Sequence, residues 1–332
     1  MAYRSPSSPD SQARICPAIC DDYQNGQESR TLGAPASRLE PSVPAPLARP
    51  PWLDQRLYPF ESRILEIDGN RIHYIDEGVG TTLLFVHGNP TWSFIYRDVV
   101  AKLMRSFRCV AVDLVGFGLS EAAPGFSYLP RAQSAVLAQL IERLDLRDFS
   151  VVVQDWGGPI GLSAALVAPN RLGGAVISNT WAWPVNGNPD FEKFSRLMGG
   201  PIGHFGSKYF NMFVNVLLPL SHKRRKLSHA EMTHYRKPLP AGHRAPTWIL
   251  PKQIIASREF LSALEARLPA LSTLPALILW GDKDDAFQAP ELARWQQLLP
   301  GAKTVMVEGV GHFAPSEAPA EFAAAILEWK RS

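Results

Sequence analysis

Six short apolar runs punctuate this chain, and each stops abruptly at a polar or glycine-rich step. Thr82–Val86 stops at His87-Gly88-Asn89-Pro90, Arg108–Val112 at Asp113, Phe149–Val153 at Gln154-Asp155, and Ala175–Ser178 at Asn179. Ala276–Trp280 stops at Gly281, and Thr304–Val307 runs into Glu308-Gly309. Short β-branched apolar runs predict strands buried on both faces. Stretches with helical spacing lie between them, from Asp98 to Phe107 and from Arg131 to Leu144, and a last one lies around Ala320 to Lys330. Strands alternating with helices predict a mostly parallel sheet covered on both faces. Ahead of them, residues 62–67 and 71–75 alternate around Asp68-Gly69-Asn70, which predicts a hairpin. From Trp181 to about Leu250 the pattern breaks into aromatics, glycines, prolines and helix fragments, with no strand of the parallel type.

Composition adds bounds. With 332 residues, 46% hydrophobic and 20% charged, the chain can bury a large core as a soluble globular protein. Residues 1–52 read as a disordered or extended tail, since nine of the 29 prolines fall in 1–51 without any apolar period. Packing is expected from residue 53. The net charge of +3 is small, and the run Lys223-Arg224-Arg225-Lys226 reads as a solvated helix face rather than a polyanion site. No nucleic-acid partner is expected. No apolar run reaches membrane-span length and no signal-peptide core is present, so no membrane partner is expected. Cys16, Cys20 and Cys109 make no disulfide framework, and a reducing cytoplasm is the expected compartment.

The chemistry gathers around Gln154-Asp155-Trp156-Gly157-Gly158. A buried strand, a sharp turn and a helix make a nucleophile elbow, in which one side chain is lifted above the sheet edge. Here that side chain is Asp155. A carboxylate held dry and in line with an alkyl carbon displaces a leaving group and forms an ester. Trp156 offers an indole N–H, a donor suited to a departing anion. The plain alternative is an Asp capping the next helix with a core Trp beside it. In open α/β sheets, ligands bind beyond the carboxyl ends of strands. At those ends stand Asn89, Asp155 with Trp156, Asn179, Asp284 and His312. His312, near its reference pKa of about 6.5, suits a base that takes a proton from water. A carboxylate on its other nitrogen would fix the tautomer. Asp282, Asp284 and Asp285 are available, and Asp284, three residues after Gly281, is the choice. The backbone N–H groups of Asn89 and Trp156 are expected to form an oxyanion hole, and the Asn89 amide and Trp156 indole to face one small anion.

Over residues 57–331 the chain resembles the haloalkane dehalogenases of the α/β-hydrolase superfamily. The stretches that carry the resemblance are His87–Ser93, Asp113–Ser120, Gln154–Gly158, Trp280–Asp284 and Gly311-His312-Phe313. It implies an α/β-hydrolase fold with a mostly parallel eight-stranded sheet and a helical cap after strand 6. The parts would be core residues 53–180, cap 181–250 and core 251–332. It also implies Asp155 as nucleophile, His312 as base, Asp284 as acid, and Asn89 with Trp156 as halide donors. Asn179 stands where one branch of the family places a glutamate, so the chain resembles the Asp–His–Asp, Asn–Trp subfamily. The implied substrate is a small halogenated hydrocarbon and the product a halide ion, with no metal or cofactor. Self-association is a further expectation from such relatives. Trp181, Trp183, Phe191, Phe194, Phe205 and Trp248 are candidate pocket lining. Two other readings remain: an epoxide hydrolase, needing a cap acid such as Tyr209 or Tyr235, and a small-molecule receptor without catalysis.

Overall fold

A computed structural model of the chain describes residues 49–331. The strands are β1 (Arg63–Ile67), β2 (Asn70–Glu77), β3 (Thr82–Val86), β4 (Arg108–Val112), β5 (Phe149–Gln154), β6 (Leu172–Ser178), β7 (Ala276–Gly281) and β8 (Lys303–Val307). They form one eight-stranded sheet in the order β1-β2-β4-β3-β5-β6-β7-β8. β1 with β2 and β2 with β4 are antiparallel, and every other pairing is parallel. Ile67 faces Asn70 across the hairpin, leaving Asp68 and Gly69 as a two-residue turn with φ of 49° and 76°. Two positive φ values match the right-handed twist of the strands they join. Every residue of β3 and β5 is buried, as continuous apolar runs require.

The helices are α1 (Arg97–Leu103), α2 (Pro130–Arg143), α3 (Gly157–Ala165), α4 (Pro189–Met198), α5 (Pro201–Phe210), α6 (Leu218–Leu220) and α7 (His229–Arg236). They continue as α8 (Ala245–Ala256), α9 (Arg258–Glu265), α10 (Ala289–Leu298), α11 (Ala314–Glu317) and α12 (Pro319–Trp329). α2 packs on α3, and α1 packs on α12. β3 sits between β4 and β5, so strand order reverses about it. At such a reversal the flanking connections leave in opposite directions and open a crevice at the carboxyl ends. Helices α4 to α9 lie between β6 and β7, with a π-helical stretch at Phe213–Leu217. The expected boundary at residue 250 falls inside α8.

Of the expected tail, residues 1–48, with Cys16 and Cys20, lie outside the described residues. Packing starts by Arg49, ahead of residue 53. Its guanidinium donates to the carbonyls of Leu53, Tyr58 and Phe60, and Trp52 meets Trp92 edge-on. Cys109 is buried in β4, where burial pushes its thiol up to about 12. None of the described helices is long and apolar enough to cross a membrane. Among the described residues no group of three His, Cys, Asp or Glu side chains could hold a metal ion.

The run Lys223–Lys226 is a loop rather than a helix face. Three of its cations are drawn to separate carboxylates: Lys223 to Asp285, Arg224 to Glu321 and Arg225 to Glu231. Glu231, buried at the start of α7, also meets Arg97 of α1 and closes a capping box with Ser228. Burial alone would raise its carboxyl. The Arg225 guanidinium, the Ser228 N–H and Arg97 outweigh burial and hold it at about 2. A depressed carboxyl pKa stabilises the fold above the unfolded value of 4.5, and that contribution drains away as pH falls toward about 2. Glu231→Ala takes from buried Arg97 its buried carboxylate and leaves it only the half-exposed Asp98 and the Phe94 carbonyl, at an expected cost of about 3 kcal/mol. Urea unfolding at neutral pH should show that loss, and the gap to the parent should narrow as the pH is lowered below about 4.

Candidate active site

Asp155 follows the last residue of β5 and adopts φ 51°. A non-glycine residue pays for this left-handed conformation, and such strain collects at functional sites. The turn is held by the Asp155 N–H to the Asn179 carbonyl and by the Gly158 N–H to the Asp155 carbonyl, while Thr180 Oγ1 donates to the same oxygen. The elbow glycines follow from crowding. A Cβ on Gly157 would lie 2.1 Å from the Val86 carbonyl, and one on Gly158 would lie 1.9 Å from Thr180 Oγ1. Gly88, at the end of β3, is bare for the same reason, because its Cβ would sit 2.1 Å from Asp155 Oδ1.

With the backbone this close, the Asn89 N–H donates to Asp155 Oδ1 at 2.7 Å. Asp155 Oδ2 lies 3.5 Å from His312 Nε2. On the far side of the ring, Nδ1 is 2.9 Å from Asp284 Oδ2. The three acidic candidates are thereby separated. Asp282 Oδ1 accepts from the Gly309 N–H, Asp285 pairs with Lys223, and Asp284 alone meets the imidazole. Asp284 is positioned by two further donors, the Asn179 amide on Oδ2 and the Ala286 N–H on Oδ1. Asn179 also takes the Gly281 N–H on its Oδ1, clamping the ends of β6 and β7.

Burial by itself would lower the His312 pKa. The Asp284 charge, with Asp155 on the other nitrogen, outweighs burial and pushes it up to about 10. The expectation of a ring near 6.5 is therefore corrected for this arrangement, because sequence spacing does not reveal two carboxylates flanking one ring. A residue that sequence reading passed over completes the set. Gln154 Nε2 lies 3.0 Å from both the His312 carbonyl oxygen and Nε2. It donates to the carbonyl, and to Nε2 whenever that nitrogen carries no proton.

Asp155, His312, Asn89 and Trp156 all border one cavity of about 630 Å³. Asn89 is 7% and Trp156 2% exposed. The Asn89 amide nitrogen has only a long 3.5 Å contact to the Thr247 carbonyl. The Trp156 indole packs edge-on against Trp181. Of the six aromatic candidates, Trp181, Phe191 and Phe194 line this cavity. Trp183 is turned onto Trp295, with the Arg294 guanidinium over its ring. Phe205 is 58% exposed on α5 beside Tyr209, and Trp248 stacks near His204 outside the cavity. The wall is completed by Phe213, Leu217 and Leu218 from the π-helical stretch and its sequel, by Pro251 and Ile254 of α8, and by Phe287.

A carboxylate at the elbow, an imidazole after the last strand and a covering helical excursion define an α/β hydrolase. The α/β-hydrolase fold family matches residues 81–319. The chain is 41% identical over 278 residues to haloalkane dehalogenase 2 of Mycobacterium tuberculosis, covering 83% of this chain and 96% of that one. It is 30% identical to a cis-3-alkyl-4-alkyloxetan-2-one decarboxylase of Shewanella oneidensis, covering 80% and 86%. Among solved structures it matches haloalkane dehalogenase DbeA from Bradyrhizobium elkani with TM-score 0.74 and 25% identity, covering 81% and 96%. A mutant of haloalkane dehalogenase DatA from Agrobacterium tumefaciens C58 matches with TM-score 0.73 and 25% identity, covering 82% and 96%. The chain belongs to the haloalkane dehalogenases.

Proposed function

We propose that this protein hydrolyses carbon–halogen bonds of small haloalkanes to an alcohol, a halide ion and a proton. The observation that supports the reading is one cavity bordered together by Asp155, His312, Asn89 and Trp156. Asp155 Oδ1 is already held by the Asn89 N–H, which leaves Oδ2 as the attacking oxygen. Oδ2 displaces the halogen from carbon in line, and the leaving electrons go to a halide stabilised by the Asn89 amide and the Trp156 indole. The product is an alkyl ester on Asp155.

Ester formation removes the negative charge beside Nε2, so the His312 pKa falls and the ring releases its proton. Gln154 Nε2 donates to the unprotonated ring and favours that form. Neutral His312 then takes a proton from water as the water oxygen attacks the ester carbon, and charge develops on Oδ1 against the Asn89 N–H. Collapse breaks the bond between the ester carbon and Oδ2, the departing oxygen takes the second proton of the former water, and the alcohol leaves behind a regenerated Asp155 carboxylate. Asp284 keeps the proton on Nδ1 and balances the imidazolium, while Asn179 and Ala286 hold Asp284 in place. The helical excursion between β6 and β7 acts as the cap that keeps water from the alkylation step.

The epoxide-hydrolase reading needs an acid in the cavity wall. Tyr209 is 60% exposed on the outside of α5, and Tyr235 is packed against Phe94; neither borders the cavity. The decisive assay is halide and acid release from 1-bromobutane. Equal amounts of each are expected, with loss of both in Asp155→Ala; opening of an epoxide without bromide release would replace the proposal by its rival.

A further inference from the structure

Eight of the twelve exposed large apolar side chains among the described residues fall between residues 194 and 220. Four stand on α5: Ile202, Phe205, Tyr209 and Phe210 are 69%, 58%, 60% and 63% exposed. The helix buries Gly203 and Ser207 instead, and a Cβ on Gly203 would lie 2.0 Å from the Met198 carbonyl. A surface helix ordinarily buries its large apolar residues and shows its small or polar ones. In α5 the small residues are seated and the aromatics face outward.

Charge is as unevenly spread. Residues 189–256 hold eleven Lys and Arg against three Asp and Glu, a balance of +8 in a chain whose whole balance is +3. The remainder is therefore net negative. Several of these cations surround α5, which has no carboxylate of its own. Lys208 belongs to it, and Arg244 donates to the Lys208 carbonyl. Arg236 donates to Asn215, whose amide donates to the Phe210 carbonyl, and Lys252 lies against Gly199 just before the helix. Among the described residues, none of Lys208, Arg236, Arg244 and Lys252 is paired with a carboxylate.

We infer that α5 is a peripheral docking surface for an anionic lipid bilayer. An aromatic and aliphatic helix face flanked by Lys and Arg suits the boundary between headgroups and acyl chains, with the rings below and the cations among the phosphates. A polyanion without an apolar layer would leave the aromatic face unburied. A second copy bound through the same face across a two-fold would bring two strongly cationic surfaces together. The contact is peripheral, distinct from a membrane span, and stands independently of the catalytic reading.

The test uses the full chain and sedimentation with vesicles of phosphatidylcholine alone or mixed equally with phosphatidylglycerol. The protein is expected to pellet with the anionic vesicles at about 0.01 M salt and at least ten-fold less at about 1 M. It should stay in solution with the neutral vesicles. The triple variant Ile202→Ser, Tyr209→Ser, Phe210→Ser should lower the bound fraction at least ten-fold with bromobutane turnover unchanged. The charge reversals Lys208→Glu and Lys252→Glu should do the same through a separate route if the triple variant does not fold. Absence of pelleting with anionic vesicles overturns the inference, as does undiminished pelleting of these variants. It is equally overturned if the parent is a dimer that the triple variant turns into a monomer.

Discussion

In a His312→Phe variant, one equivalent of halide is expected to leave per active site, after which turnover stops. The ring occupies a slot beside Phe287 and Phe313, so a benzyl side chain fits the space while removing both nitrogens. Asp284 keeps its Asn179 and Ala286 donors, and Asp155 keeps the Asn89 N–H, so the proposed nucleophile stays in place. Only the water-activating step is lost, and general-base removal lowers such a step by about 10²–10⁴-fold. Intact-protein mass spectrometry after 1-bromobutane should show a single butyl adduct, which peptide mapping places on Asp155. A variant without any adduct would sink the two-step scheme. The parent offers a matching pH test. With Asp284 and Asp155 pushing its pKa up to about 10, His312 is expected to hold its proton at rest and, in the proposed scheme, to lose it once the ester forms. The initial halide burst should therefore be nearly flat between about pH 6 and about pH 9, whereas ester hydrolysis should quicken as pH rises.

The second large effect is expected at Asn89 and Trp156, the two proposed anion donors. Trp156→Phe keeps the ring against Trp181 and deletes the indole N–H; Asn89→Ala deletes the amide while leaving the backbone N–H on Asp155 Oδ1. Each should slow the halide burst by about 10²–10³-fold, the usual cost of one lost donor to a developing anion. The double variant should fall short of the product of the two, because both donors serve one ion. Rapid-quench halide measurement distinguishes this from a folding defect. A burst that survives both changes would leave Asn89 and Trp156 as structural residues only.

The legible part of this molecule is its sheet. Asn89, Asp155, Asn179 and Asp284 each follow closely on an apolar run, and parallel strands deliver all such residues to one edge. His312 arrives by the same rule after β8. The cap resists sequence reading because its packing inverts the ordinary pattern. Phe205 has the composition of a core residue, yet α5 seats Gly203 and Ser207 and turns Phe205 outward. Trp181 and Trp183 are indistinguishable by spacing, and only the Trp295 and Arg294 side chains draw Trp183 away from the cavity. Phe213 and Leu217 reach the cavity from a π-helical stretch that no regular period announces. Gln154 reads as the end of a buried strand, and its tie to His312 spans 158 residues of chain.

The anchoring of α7 bears on how small molecules come and go. Its His234 accepts the Asp54 N–H on Nε2, lies flat on Phe94 and receives the Trp92 indole N–H at its carbonyl, while Glu231 grips Arg97. These contacts tie that end of the excursion to the strand-bearing body. Phe194 and Leu220 both border the cavity and are exposed to solvent. Shrinking the side chains at those two positions is therefore expected to change the rate of product egress more than substitutions at the α7 anchors, which product-release kinetics would check.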